Sequence, residues 1–188
     1  LQAPAEGQTA ERSGIGALLP LGDLRPGDRF DFPRPGGGRV ALIYQPLIPG
    51  AEERQAGRRI GGYVAAFTRG VLRPDLWIEV QRPEQPPRVV ILDAKCTWRF
   101  EKLAGSLGDE LEQMRDYRMR IHDPVSGHQP VRAVFQVHPG TGLPLRVNLS
   151  SWERGQVPPD AQLCGAVPAA PGSTRDLERL LDGLLAWL

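Results

Sequence analysis

Apolar residues run unbroken through Val89-Val90-Ile91-Leu92 and then give way to Asp93-Ala94-Lys95. A run that is apolar on both faces of an extended chain predicts a central, doubly covered strand over Val89 to Cys96. Just upstream, Leu72 to Gln81 reads as an extended segment in which Leu76, Ile78 and Val80 share one face and Asp75, Trp77 and Glu79 the other. Pro83 to Pro87 forms the turn between the two. Nearer the start, Asp28 to Phe32 and Arg39 to Leu47 read as strands around Pro33-Arg34-Pro35-Gly36-Gly37-Gly38, a hairpin signal. Gly50 to Gly61 is expected to be a charged loop, and Tyr63 to Thr68 a further extended stretch.

A helical period is found twice. Leu107, Leu111, Met114 and Ile121 recur at helical steps, predicting a helix from Ser106 or Leu107 to His122. Asp123-Pro124 ends it, because proline cannot continue the ladder. The closing helix is predicted from about Thr174, after the cap candidate Ser173, with Leu177, Leu180, Leu181, Leu184 and Leu188 as its stripe. Between the helices, Val131 to Val137 is a short apolar strand. Leu145 to Leu149 and Leu163 to Val167 are expected as minor edge strands beside a proline-rich loop. This order predicts an α/β or α+β domain built on a central mixed sheet flanked by helices. Residues 1–27, small and polar with little period, are expected to be a linker or partly ordered arm; 28–188 form the domain.

Composition narrows the function classes. A length of 188 residues suits one domain with a real core. A net charge of +1 excludes a uniformly basic surface, so a polyanion could be met only by a local patch. No apolar run approaches 18 residues, which argues against a membrane span. No basic-then-apolar leader opens the chain, and Cys96 and Cys164 lack metal-ligand spacing; a reduced, cytoplasmic protein is the expectation. Because the chain opens on Leu1, it is expected to be a fragment of something longer.

The chemistry begins with a rarity. Of 23 basic residues only Lys95 and Lys102 are lysines. Keeping an ammonium at the end of a buried strand suggests a need that a permanently charged guanidinium fork does not meet. Asp93 and Lys95 project from one face of that strand, and charges there are costly unless paired or engaged with a metal. If the strands of Asp75 and Asp93 are neighbours, the two acids converge. Two carboxylates and a backbone carbonyl make a hard oxygen site suited to Mg²⁺. On the first helix, Gln113, Tyr117 and Arg120 share a face beside the apolar stripe.

Pro74-Asp75, then Asp93-Ala94-Lys95, then Gln113-Met114 with Tyr117-Arg118, resembles the PD-(D/E)xK nuclease superfamily. The glutamine and tyrosine resemble the QxxxY helix of its RecB-like members. The closer resemblance is to the branch holding the nuclease subunits of McrBC-type, modified-cytosine restriction systems. That branch typically shows a strand like Leu42-Ile43-Tyr44-Gln45-Pro46 and a later strand ending in proline-glycine, as in Ala133 to Gly140. The similarity spans about residues 39 to 188. It implies a restriction-endonuclease-like core and hydrolysis of DNA phosphodiesters dependent on Mg²⁺ or Mn²⁺, in a restriction, phage-defence or DNA-processing system. It further implies that Asp75, Asp93 and the Ala94 carbonyl hold the metal. Lys95 would stabilise the attacking hydroxide or the developing phosphorane charge, and Gln113 and Tyr117 would support metal or substrate. A nucleotide-driven motor or a DNA-recognition domain or subunit is the implied partner. Relatives often carry a further acid on a helix before the first core strand. Here Glu11 is isolated and Glu52 and Glu53 sit in a loop; that acid is absent, supplied by Glu79, or upstream of Leu1.

Blander readings stand beside these. Asp75 could form a turn, Asp93 and Lys95 an edge salt bridge, and Gln113 and Tyr117 a solvated face with a packed tyrosine. Trp77 is expected in the core, Cys96 as a buried small hydrophobe, and His122, His128 and His138 as loop or cap residues. Arg58, Arg59, Arg69, Arg73, Arg115, Arg118 and Arg120 are the pool for phosphate contacts, with Arg120 favoured for its face and Arg73 as second candidate. The competing functions are an inactive nuclease-fold module that binds nucleic acid or scaffolds, and a nuclease specific for RNA.

Overall fold

The computed structural model describes residues 24–50, 62–66, 71–95, 107–139, 145–148, 152, 156–170 and 172–188. The strands are β1 (Arg29–Pro33), β2 (Arg39–Tyr44), β3 (Ile48–Pro49), β4 (Val64–Ala65), β5 (Val71–Leu72), β6 (Leu76–Gln81), β7 (Arg88–Ala94), β8 (Ile121–His122), β9 (Val131–His138), β10 (Arg146–Val147) and β11 (Leu163–Pro168). The helices are α1 (Leu107–Arg120), between β7 and β8, and α2 (Arg175–Trp187), which closes the chain. Seven strands form one mixed sheet in the order β1-β2-β6-β7-β9-β11-β10. Neighbours from β1 to β7 run antiparallel, β7–β9 and β9–β11 parallel, and β10 antiparallel again. The short pairs β3–β5 and β4–β8 lie outside this sheet.

The continuous apolar run therefore occupies the middle of the sheet, and β7 is buried from Val89 to Asp93. Alternation sends its side chains to opposite layers. Val89 and Ile91, with Ile43, Trp77 and Val134, pack against Met114 and Tyr117 of α1 and against Tyr63 and Ile121. Val90 and Leu92, with Ile78, Val80 and Phe135, pack against Leu180, Leu184 and Leu188. The expected α2 stripe is thus its core face. Met114 and Ile121 are buried as expected, whereas the side chains of Leu107 and Leu111 lie outside those described. Among the described residues, no helix is long and apolar enough to cross a membrane.

Several boundaries differ from the sequence expectation. β2 stops at Tyr44 because Gln45 turns into the left-handed region at φ +42°. The segment Leu72 to Gln81 is two strands, since β5 pairs with β3 while β6 joins the main sheet. α1 ends at Arg120, two residues early, because Ile121–His122 pairs with β4 and Ala66 N–H donates to the Arg120 carbonyl. β11 is no edge strand: it lies inside the sheet, parallel to β9, with Leu163 and Val167 fully buried. Thr174, not Ser173, caps α2, and its hydroxyl donates to the Glu178 carboxylate at 2.7 Å. Gly27 N–H donates to the Tyr44 carbonyl, so the end of the expected arm is tied to β2. The rest of that arm, 1–23, lies outside the described residues, as do 51–61 and Cys96.

Candidate active site

The register of β6 on β7 pairs Leu76 with Leu92 and Trp77 with Ile91. One further step places Asp75 opposite Asp93, at the end of the central strand. Three contacts hold Asp75. Ala94 N–H donates to its Oδ2 at 2.7 Å, Gln45 Nε2 lies 3.5 Å from its Oδ1, and its carbonyl accepts the Gln45 N–H at 2.8 Å. Asp93, 5% exposed, lies against Lys95, with Nζ 2.5 Å from Oδ2. Lys95 is positioned in turn, because its N–H extends the ladder to the Val137 carbonyl at 2.7 Å.

The helix closes the constellation. Lys95 Nζ donates to Gln113 Oε1 at 2.8 Å, and Gln113 Nε2 donates to the Tyr117 hydroxyl at 2.9 Å. Tyr117, 1% exposed, donates its own proton to the Asp93 carboxylate. Asp93, Lys95, Gln113 and Tyr117 therefore form a closed ring of hydrogen bonds joining β7 to α1. The four-residue spacing of Gln113 and Tyr117 puts both on one helix face, one turn apart. Tyr117 is the packed tyrosine of the blander reading, yet its hydroxyl and Gln113 both enter the ring, and the edge reading for Lys95 fails because β7 is central.

Burial pushes the Asp93 carboxyl above its ordinary value. The hydrogen bond and charge of Lys95 pull it back, the charge of Asp75 pushes it up, and the Tyr117 hydroxyl lowers it. Burial also raises the Tyr117 hydroxyl well above its usual range, reinforced by the charge of Asp93, so it stays a proton donor. The influence of Asp75 on both groups shows that the two acids share one electrostatic environment. With both ionised beside one ammonium, the cluster keeps one net negative charge in a partly desolvated setting. That donor set suits a hard divalent cation held by carboxylate oxygen. Among the described residues, no group of three or more His, Cys, Asp or Glu side chains could hold a metal ion. A cation here would have two carboxylates, with the Ala94 backbone at the exposed end of β7 beside them.

Glu79 does not supply the further acid. It lies two pleats from Asp75 with Trp77 between, and its carboxylate meets Arg29 Nη2 at 3.5 Å. Glu11, Glu52 and Glu53 lie outside the described residues. Arg73 is exposed, two residues before Asp75. Arg120 is drawn to Asp116 on its own helix, Nε to Oδ1 at 2.8 Å. Arg58, Arg59 and Arg69 lie outside the described residues. Trp77 is fully buried, its ring tilted at 40° to that of Tyr63 with centroids 5.5 Å apart. His138 is neither loop nor cap but a buried member of β9, and burial lowers its pKa.

Sequence reasoning missed one residue of the site. Gln45 contacts Asp75 through both its backbone and its side-chain amide, from a left-handed conformation rare outside glycine. The signal was the Gln45-Pro46 step after an alternating strand, where a strand end is expected. No family model, no curated protein and no solved structure matches this chain.

Proposed function

We propose that this chain is a metal-dependent nuclease domain with a restriction-endonuclease-like core, hydrolysing DNA phosphodiesters within a restriction, phage-defence or DNA-processing system. One observation carries the reading: Asp75 and Asp93, from adjacent strands, meet beside Lys95, with Gln113 and Tyr117 closing over them. Those are the motif residues of the resemblance, in its order.

Asp75, Asp93 and the Ala94 carbonyl would hold Mg²⁺ or Mn²⁺. When bound, such an ion acidifies water and offsets charge developing on phosphoryl oxygens. The protein's own groups do the rest. The acid pair carries excess negative charge that would repel a phosphodiester, and a divalent cation held there would offset it. Gln113 and Asp93 fix the Lys95 ammonium at the mouth of the acid pair, where it would stabilise charge on the reacting phosphate. The Tyr117 hydroxyl fixes the Asp93 carboxylate and favours its anionic form against the opposing effect of burial. Arg73 and Arg120 would contact flanking phosphates, Arg120 by releasing Asp116. A motor or DNA-recognition partner would deliver the DNA to a domain of near-neutral charge.

A second reading, an inactive module that binds or scaffolds, draws on the way the acids are already satisfied: Asp93 by Lys95 and Tyr117, Asp75 by Ala94 and Gln45. Digestion of matched DNA and RNA with Mg²⁺ or Mn²⁺ separates the readings. Cleavage abolished by chelator and by Asp93→Ala or Lys95→Ala supports the enzyme. A protein that cleaves neither polymer, alone or within its parent, is the scaffold, and cleavage confined to RNA changes the substrate.

A further inference from the structure

The opposite end of the same sheet carries an unbalanced charge cluster. β6 runs toward that end and is followed by Arg82, while β7 begins there with Arg88 and β9 with Val131-Arg132. β6 is antiparallel and β9 parallel to β7, so the three arginines sit at one end of three adjacent strands. Arg88 stands five residues before Asp93 on β7, about 17 Å from the acid pair at ~3.3 Å per residue.

Three observations suggest a site rather than a solvated rim. Val89 pairs with Val131 and Val90 with Ala133, so Arg132 is the extra residue of a β-bulge. Bulges re-aim a side chain and locally break the ladder. The Arg132 Nε is buried without a hydrogen-bond partner. Among the described residues no carboxylate pairs with Arg82, Arg88 or Arg132, although Glu84 and Asp160 lie in neighbouring turns. Arg88 has one neutral partner, the Pro159 carbonyl at 3.4 Å. Its pKa is lowered by burial, then by the charges of Arg132 and Arg82. Half-buried like charges without counter-charge are costly, and an anion would relieve the cost.

We propose that Arg82, Arg88 and Arg132 form a second phosphate-binding site, one that holds a nucleic-acid backbone outside the acid cleft. The cluster calls for a polyanion; the choice of nucleic acid rests on the nuclease reading. Arg88 lies on the α2 side of the sheet and Asp93 on the α1 side, so this contact anchors flanking nucleic acid rather than the bond being cut.

The test is anisotropy of a labelled 20-base-pair DNA duplex with the full chain in chelator, where no hydrolysis occurs, at salt concentrations from about 50 to 200 mM. Arg82→Gln breaks no described contact; Arg82→Gln with Arg88→Gln removes two charges. The plot of log affinity against log salt is expected to flatten by about one for the single variant and about two for the double. Unchanged affinity and slope in variants that melt like the wild type overturn the proposal. So does loss of heparin binding with duplex binding intact, which would make this a site for sulfated polymers. A wild type that binds the duplex through these arginines but never cleaves it sinks the nuclease reading alone.

Discussion

Asp93 is the side chain on which the cluster's charge turns. Its raised pKa means that the protonated acid is favoured in the folded state. That contribution to stability is complete below the ordinary 3.8 and fades as pH climbs through the raised value. Affinity for Mg²⁺ should rise across the same interval. Carbon-detected carboxyl titration is expected to move the Asp93 midpoint up in Lys95→Met and in Tyr117→Phe, which lose lowering contacts, and down in Asp75→Asn. Shifts of the same sign in all three would deny the shared environment of the two acids. Gln45 offers an independent check. Gln45→Gly relieves a left-handed backbone, so melting should hold or rise, by up to about 1 kcal/mol. Mg²⁺ affinity should nevertheless fall as Asp75 loses its side-chain amide. The acids and the lysine were legible because a period of two and a short turn define which side chains meet across a hairpin. Gln45 was not, because a helical or extended period says nothing about a residue that leaves both.

Elements were readable where their apolar code was strong and blurred where small residues filled them. Val89–Leu92 announced β7, and the leucine stripe announced α2. The sequence predicts β11 as a minor edge strand beside a proline-rich loop, yet Cys164-Gly165-Ala166, short of branched and aromatic residues, is carried inside the sheet by packing on β9 and α2. Tyr117 was placed beside the core stripe of α1 and lies within the core, because its ring fills space while its hydroxyl serves Asp93. The same logic predicts what α2 tolerates. Gly183 is helical, and alanine would ordinarily favour the helix by about 1 kcal/mol. A Cβ there would lie 2.8 Å from the Trp152 ring, however. Gly183→Ala is therefore expected to lower the melting temperature. Leu184→Ala, in the fully buried layer, should cost about 2–5 kcal/mol by denaturant titration.

At the scale of the whole sheet, and among the described residues, the two ends of β7 differ in charge: Asp93 and Lys95 at one, Arg88 with Arg82 and Arg132 at the other. A net charge of +1 conceals that polarity, which is why composition pointed only to a local patch. Divalent cations should act as ligands of the folded state. At Mg²⁺ one hundred-fold above its dissociation constant, the wild type is expected to gain about 2.7 kcal/mol in stability, and Asp93→Ala nothing. A Mg²⁺-independent melting curve for the wild type would exclude the metal site. The bond from Ala94 N–H to Asp75 ties one main-chain proton to one carboxylate. In a two-dimensional amide spectrum, that single peak should travel as Asp75 meets a cation, making residue 94 a built-in gauge of the site that needs no substrate.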